Sequence, residues 1–473
     1  MKDSKAPRVG VLECTTGSAS FYVNDFSFYI MNNVMKKGTT PSGETYTAAN
    51  CPFTLKKQGN FLTGFTTNRE SIAIYAKDYP DNFSISQFTL RASIYVIQNA
   101  IQTETSGYFF DAIELRGGML NNLFSDRFIQ VDYSNSNYII KRDSFELVGN
   151  PVLNNQPVSI KVGWFTHENS QSRKLEISTT NPYFRFEFNK PINLDDALLH
   201  IEKARELMSF LSYRNNVEFD SICFQRKSVY TDSQNISHEY YRTDAHAFIN
   251  YGFESSQKES CHCICFDDIG NPVFNLLAMF YDHSDYNPVN HLNFIPKSDK
   301  DSDFISSTTI REIATFLECE EAWSIKNRDE KSHKLYDENQ RLSNLLSKIK
   351  QVIKEDEDEN GPLPNSVQNQ LSKRFQNVSL PSKSKDILLY ESYRDITINI
   401  TRYFSYYKIL DSSDIKKFRD YRNKETHGNY NLFSLDIGMT ALHLVATVYC
   451  SILHRAGVDD QKLKSICEKN FIL

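Results

Sequence analysis

The sequence predicts an α+β multidomain protein. Its N-terminal part is β-rich, sandwich- or jelly-roll-like with one helix packed on it, and its C-terminal part is an all-α bundle. Three observations predict this. The 473 residues exceed the roughly 250–300 that one hydrophobic core usually organises. The aromatic share is 13%, supplied mostly by 33 Phe and 26 Tyr, which favour strands. The hydrophobic pattern changes near residue 305, from a period of about two to one of about 3.6.

The β-rich region is read over 1–300. The stretches ASFYVNDFSFYI, SIAIYAKDY, FSISQFTLRASIYVI, FIQVDYSNSNYIIKR, VSIKVGWF and YFRFEFNK alternate apolar and polar residues, and SNSN, GNPVLNNQP, HENSQS and TTNP divide them as turns. Alternation implies one buried and one solvated face, as in antiparallel sheets. Asn193 then opens a helix with Leu194, Leu198, Ile201, Ala204, Met208 and Leu211 on one face. DSICFQRKSVY, AFINYGF and CHCICFDD are read as further strands, and the polar stretch at 296–304 as the boundary.

The helical region is read over 305–473. Thr309 and Glu312 fit a capping box, followed by Ile310, Ile313, Ala314 and Leu317. A helical extension with an acidic loop is read over 330–384. Its helix covers about 333–354, with Leu342, Leu345, Leu346, Ile349 and Ile353 apolar, and the acidic run Glu355–Glu359 and the break Gly361–Pro364 end it. Two more helices follow. The first carries Leu389, Tyr393, Ile396, Ile400, Tyr403 and Tyr407, and the second carries Ile437, Ala441, Leu444, Val448 and Ile452 and stops at Gly457.

Composition narrows the function. A net charge of −6 excludes a whole-chain basic field, so any nucleic-acid site is local. No apolar stretch reads as a membrane span, and the first residues lack the apolar core of a secretory signal. Nine cysteines form no regular framework, so free thiols in the cytoplasm are expected.

Between the last two long helices lies DSSDIKKFRDYRNKETHG. Asp411, Ser412 or Ser413 caps a short helix, and Gly428 suits its end. Asn423 and His427 are four apart and share a face, with Arg422 about 100° round. A histidine transfers protons near neutral pH, and an arginine fork meets two phosphate oxygens. Metal-free RNA cleavage needs both, because the 2′-hydroxyl loses a proton, the 5′-oxygen gains one and the phosphorane between them needs cations. One copy holds a single such histidine. A two-fold dimer supplies two histidines and two arginines to one cleft.

Arg422-Asn423-x-x-x-His427, late in a helical region and before a final long helix, resembles the R-x4–6-H signature of HEPN ribonucleases. With the large β-rich region before it, the chain resembles the Apea-like HEPN proteins of bacterial anti-phage defence. The resemblance covers about 305–473. It implies a metal-independent endoribonuclease, without metal or nucleotide cofactor, acting as a homodimer and an abortive-infection effector on tRNA or other cellular RNA. A phage-derived trigger is implied, with the N-terminal region sensing or restraining. The product ends would be a 2′,3′-cyclic phosphate and a 5′-hydroxyl. His427 would transfer protons, Arg422 hold the phosphorane and Asn423 orient a phosphate or the partner histidine.

Lys417, Arg419, Lys424 and Tyr430 are read as substrate-binding, alongside Lys416 and Tyr421; Asp414, Asp420 and Glu425 interleave with them, as on a solvated helix face. Cys261, Cys263 and Cys265 would share a strand face, with His238, His246, His283 and His291 free to complete a zinc site. A buried thiol face accounts for them as well, and no metal is assigned. Asp111, Glu114, Glu176 and Glu187 offer carboxylate pairs without a specific glycosidase signal. Gly117-Gly118 reads as a turn, and His443 and His454 as surface or interface residues. The alternative function is an inactive HEPN binding or dimerisation module carrying a glycan- or protein-binding β-domain.

Overall fold

The structure is a computed structural model. It describes the chain apart from residues 1–6, 15–16, 33–35, 49–52, 80–81, 84–86, 100–107, 125–128, 133–138, 143–144, 167–179, 234, 253–262, 285–286, 299–300, 302–304, 328–329, 379–416, 419, 423–434 and 471–473. Two compact units emerge, Met1–Tyr281 and Asp282–Leu473. The division therefore falls before the polar stretch at 296–304, because the 3-10 turn Pro288–His291 packs on the first helix of the second unit.

In the first unit the strands run β1 (Arg8–Cys14), β2 (Gly17–Asn24), β3 (Ser27–Asn32), β4 (Lys36–Thr39), β5 (Thr45–Ala48), β6 (Phe53–Thr54) and β7 (Lys57–Gln58). Next come β8 (Phe61–Thr66), β9 (Glu70–Tyr75), β10 (Asn82–Phe83), β11 (Gln87–Arg91), β12 (Ile94–Asn99), β13 (Phe109–Arg116), β14 (Ile129–Asp132) and β15 (Ile139–Arg142). Then follow β16 (Phe145–Gly149), β17 (Val152–Leu153), β18 (Gln156–Thr166), β19 (Thr180–Asn193), helix α1 (Leu194–Ser212), β20 (Ser221–Thr231), β21 (Ser237–Ile249), α2 (Phe266–Ile269) and α3 (Pro272–Met279).

The alternating stretches form strands as expected, with two corrections. Hydrogen bonding joins fifteen strands into one continuous antiparallel sheet rather than two facing sheets, in the order β11-β3-β2-β1-β8-β9-β12-β21-β20-β13-β19-β18-β16. CHCICFDD is not a strand: Cys263–Cys265 precede α2, and the bond from Ile264 N–H to the Leu211 carbonyl ties them to the end of α1.

The sheet changes its buried face part-way across. In the β11-to-β12 half, Leu12, Phe21, Phe28, Ile30, Ile72 and Tyr95 lie on one face and form a core. Phe28 and Tyr95 touch at 5.5 Å between ring centroids although four strands separate β3 from β12, so this half curls onto that face. Along the same face a register row continues Ile97–His246–Cys223–Glu114–Arg185–Lys161 and becomes polar. The opposite face does the reverse. The row Met31–Ser20–Val11–Phe65 is exposed at its apolar members, whereas Phe224, Ile113, Phe186 and Ile160 farther along it are fully buried. Helix α1, α3 and the 3-10 turn Gly118–Leu123 pack together, and α1 and that turn also contact β19.

Asn193 caps α1 as expected, its side chain accepting from the Asp196 N–H at 2.9 Å. Ala197, Ile201, Ala204, Met208 and Leu211 are buried, while Leu198 is half-buried. His200 is buried too, its Nδ1 2.6 Å from the Tyr281 hydroxyl and its ring against Phe186 and Phe188. The glycine pair ending β13 is a turn as read. Gly117 and Gly118 take φ of 70° and 59°, and a Cβ on Gly118 would lie 2.1 Å from the Glu218 carbonyl oxygen.

The second unit is helical: α4 (Ser307–Asn327), α5 (Glu330–Asn360), α6 (Asn365–Val378), α7 (Leu435–Arg455) and α8 (Asp460–Asn470). Helix α4 starts two residues before Thr309. Ser306 caps it by accepting from the Thr309 N–H at 3.1 Å, and Thr309 rather than Glu312 answers at 3.4 Å. The acidic run is not a loop. Glu355–Glu359 continue α5 to Asn360, supported by Gln351–Glu355 and Asn360–Asp356 side-chain bonds one turn apart, and Gly361 then breaks the helix. Helix α7 packs on α4 and α8 and buries Ala441, Leu444, Val448 and Ile452, and Gly457 at φ 92° stops it. By length and composition Asp436–Arg455 would span a membrane, contrary to the sequence reading. Its window is 75% buried in the protein, as in a core helix.

Burial lowers the His200 pKa from 6.5 to about 4, because the charged imidazolium loses its water among Phe186, Phe188 and Tyr281. The unfolded chain binds this proton below pH 6.5 and the folded chain does not until about pH 4. Stability from this group is full above pH 6.5 and falls as pH drops through that window, by on the order of 3 kcal/mol. Urea titrations from pH 7 to 4.5 are expected to show this fall, and His200→Asn is expected to flatten it. An equal slope in both proteins would refute it.

Candidate functional site

Residues 417, 418 and 420–422 are helical, and α7 follows them. Phe418 and Tyr421 are each 5% exposed, so this turn is anchored through two aromatic rings. The burial of Tyr421 removes it as a base-stacking surface. Arg422, four residues beyond Phe418, lies on the anchored face and is half-buried, an arrangement that packs the stem and leaves the guanidinium at the boundary. Lys417 is exposed and Asp420 half-buried. Arg419, Asn423, Lys424, His427 and Tyr430 lie outside the described residues, as do Asp411–Lys416 and Gly428. His454 is exposed in the last turn of α7.

Among the described residues no group of three or more His, Cys, Asp or Glu is arranged to hold a metal. Cys261 and His262 lie outside them. Cys265 is buried at the start of α2 and Cys263 half-buried. The histidines offered to that site are dispersed: His238 pairs with Asp232 at 2.9 Å, His246 faces Cys223, and His291 ends a 3-10 turn.

The carboxylates form no free pair. Glu114 is 1% exposed and held by the guanidiniums of Arg116 and Arg185, with Arg185 Nε at 2.7 Å. Glu187 meets Lys161 at 2.9 Å, and Asp111 accepts from the Lys227 N–H at 2.8 Å; Glu176 lies outside the described residues. Carboxylates held by cations in this way fit a structural network better than acid–base work. The Arg185 guanidinium also lies over the Tyr183 and Tyr241 rings, at 5.8 and 5.5 Å.

Two features were not read from the sequence. On β20 and β21, Cys223 Sγ lies 3.5 Å from His246 Nδ1 and 3.3 Å from Ser221 Oγ. Burial raises the thiol pKa, and burial followed by the Arg116 and Arg8 charges lowers that of the imidazole, so both rest neutral and the pair is not a poised nucleophile. On the outer face of the curled half, Tyr22 and Tyr29 stack at 6.0 Å beside Val9, Val11, Met31 and Phe65, all between 37% and 48% exposed. Alternation called β2 and β3 strands but could not say which face water would reach.

No family model, curated protein or solved structure matches this chain.

Glu114→Ala would leave Arg116 and Arg185 without their shared carboxylate on a largely buried sheet face. It is expected to destabilise the protein by about 3–5 kcal/mol, against much less for a charge on the solvated face of α5 such as Glu355→Ala. Denaturant midpoints compare the two, and similar small shifts would count against the network.

Proposed function

We propose that the chain is a metal-independent endoribonuclease of HEPN type. The observation that carries this reading is the Arg422-Asn423-x-x-x-His427 pattern, whose Arg422 is half-buried on a helical turn anchored by Phe418 and Tyr421. A guanidinium held in this way loses little further freedom on meeting a phosphate. Two copies brought together give His427 as base from one and as acid from the other, with both Arg422 side chains on the phosphorane. Lys417, Arg419, Lys424 and Tyr430 are the proposed flanking contacts, tRNA or other cellular RNA the substrate, and abortive anti-phage defence the setting.

A second reading makes the β-rich unit a glycan- or peptide-binding module. The outer-face cluster of Tyr22, Tyr29 and their apolar neighbours favours it, since single exposed apolar residues are ordinary but a contiguous group across β3, β2, β1 and β8 marks a contact surface.

Purified protein is expected to cut RNA in EDTA and leave 2′,3′-cyclic phosphate ends. Arg422→Ala or His427→Ala should lower the rate at least about 1,000-fold with mass and thermal stability unchanged. Cutting at the wild-type rate by both variants would end the proposal. For the second reading, Tyr22→Ala with Tyr29→Ala should weaken binding to a glycan or peptide array about tenfold, with RNA cutting intact. Unchanged array binding removes that reading alone.

A further inference from the structure

Helix α5 exposes an apolar seam that the rest of the chain leaves bare. Leu345, Ile349 and Val352 are 53%, 38% and 63% exposed, with Leu346 and Ile353 half-buried beside them. Their spacing of four then three is that of d, a and d in a heptad, and Leu342 occupies the preceding a position in sequence. The seam ends where the next a position is Asp356. Helix α6 touches the end of α5, where Gln368 Nε2 donates to Glu357 at 2.8 Å, yet the seam stays open. Water-exposed leucine, isoleucine and valine at this period bury little as a single helix, and helices draw most of their stability from a packed face.

The charges flanking the seam choose its occupant. Arg341, Lys348 and Glu355 stand at successive g positions. When a second copy of α5 lies antiparallel, with Leu345 of one helix level with Ile349 of the other, Arg341 of each copy faces Glu355 of its mate, twice by symmetry. In a parallel pair the run Glu355–Glu359 would lie beside its own copy, with Asp356 against Asp356 in the seam. Like charges at such spacing repel.

We propose that α5 is a dimerisation arm, forming an antiparallel two-stranded coiled coil with α5 of a second copy of this chain. The inference does not rest on the ribonuclease reading, because it uses no residue of the Arg422–His427 pattern.

Cysteine cross-linking of the full chain tests both partner and direction. Leu345→Cys and Ile349→Cys proteins carrying different tags are mixed, incubated and oxidised beside the wild type, which sets the background from the native cysteines. The antiparallel pair places 345 beside 349 of the mate, whereas 345 and its own copy are offset by four residues, about 6 Å along the axis. A disulfide joining the two tags is therefore expected, with few bonds between like tags, and adding Val352→Glu to both proteins should remove it while circular dichroism keeps its helical signal. Cross-links mainly between like tags would overturn the antiparallel pairing. Cross-linking no better than wild type, or unmoved by Val352→Glu, would overturn the arm altogether. RNA cutting in the same samples reports on the ribonuclease reading separately.

Discussion

One long sheet that changes its buried face is the constraint on which the first unit depends. A strand has two faces, and fifteen paired strands make two very large ones. An open sheet of this width curls or splits rather than staying flat. Here the β11-to-β12 half curls until Phe28 reaches Tyr95, and that concave face becomes core. The other half buries the opposite face, with Phe184, Phe186 and Phe224 inside. The strands at the crossover, β9 and β12, are buried on both faces, which is why SIAIYAKDY and SIYVI read as nearly continuous apolar runs.

The crossover also explains the charged groups. Beyond His246 the face that was core meets no hydrophobic layer, so its row carries Glu114, Arg185 and Lys161. Glu114 is nevertheless nearly sealed by its neighbours, and two guanidiniums hold it there. Buried charge persists in proteins when paired and hydrogen-bonded, and this network meets that condition without a ligand. On the other half, the outer face bears Tyr22, Tyr29, Met31 and Phe65 with nothing packed over them.

In the second unit, two kinds of helix differ in what they bury. Helix α7 is enclosed by its neighbours, and its membrane-like composition reflects a core position. The described part of α5 faces solvent almost all round, its acid-rich end helical through turn-spaced side-chain bonds. Position in the packing, not helix propensity, separates them.

The sequence by itself determined the strands whose alternation is regular, the start of α1 at Asn193, the apolar stripe and glycine stop of α7, and the Arg422–His427 spacing, because each is a local pattern of one or two turns or a single strand. Strand β13 escaped notice because a bulge between Phe110 and Ala112 breaks its alternation and a charged residue, Glu114, sits at an inward position. The CHCIC stretch misled because cysteine and isoleucine suit strands, while the bond from Ile264 to Leu211 holds the chain against a helix end. Only the tertiary structure decided that the sheet is one rather than two, which face each half buries, that Tyr421 is core, and that Leu345, Ile349 and Val352 stay bare. Alternation and heptad spacing state that a face is apolar. What covers that face depends on segments far away in sequence, and no local pattern encodes it.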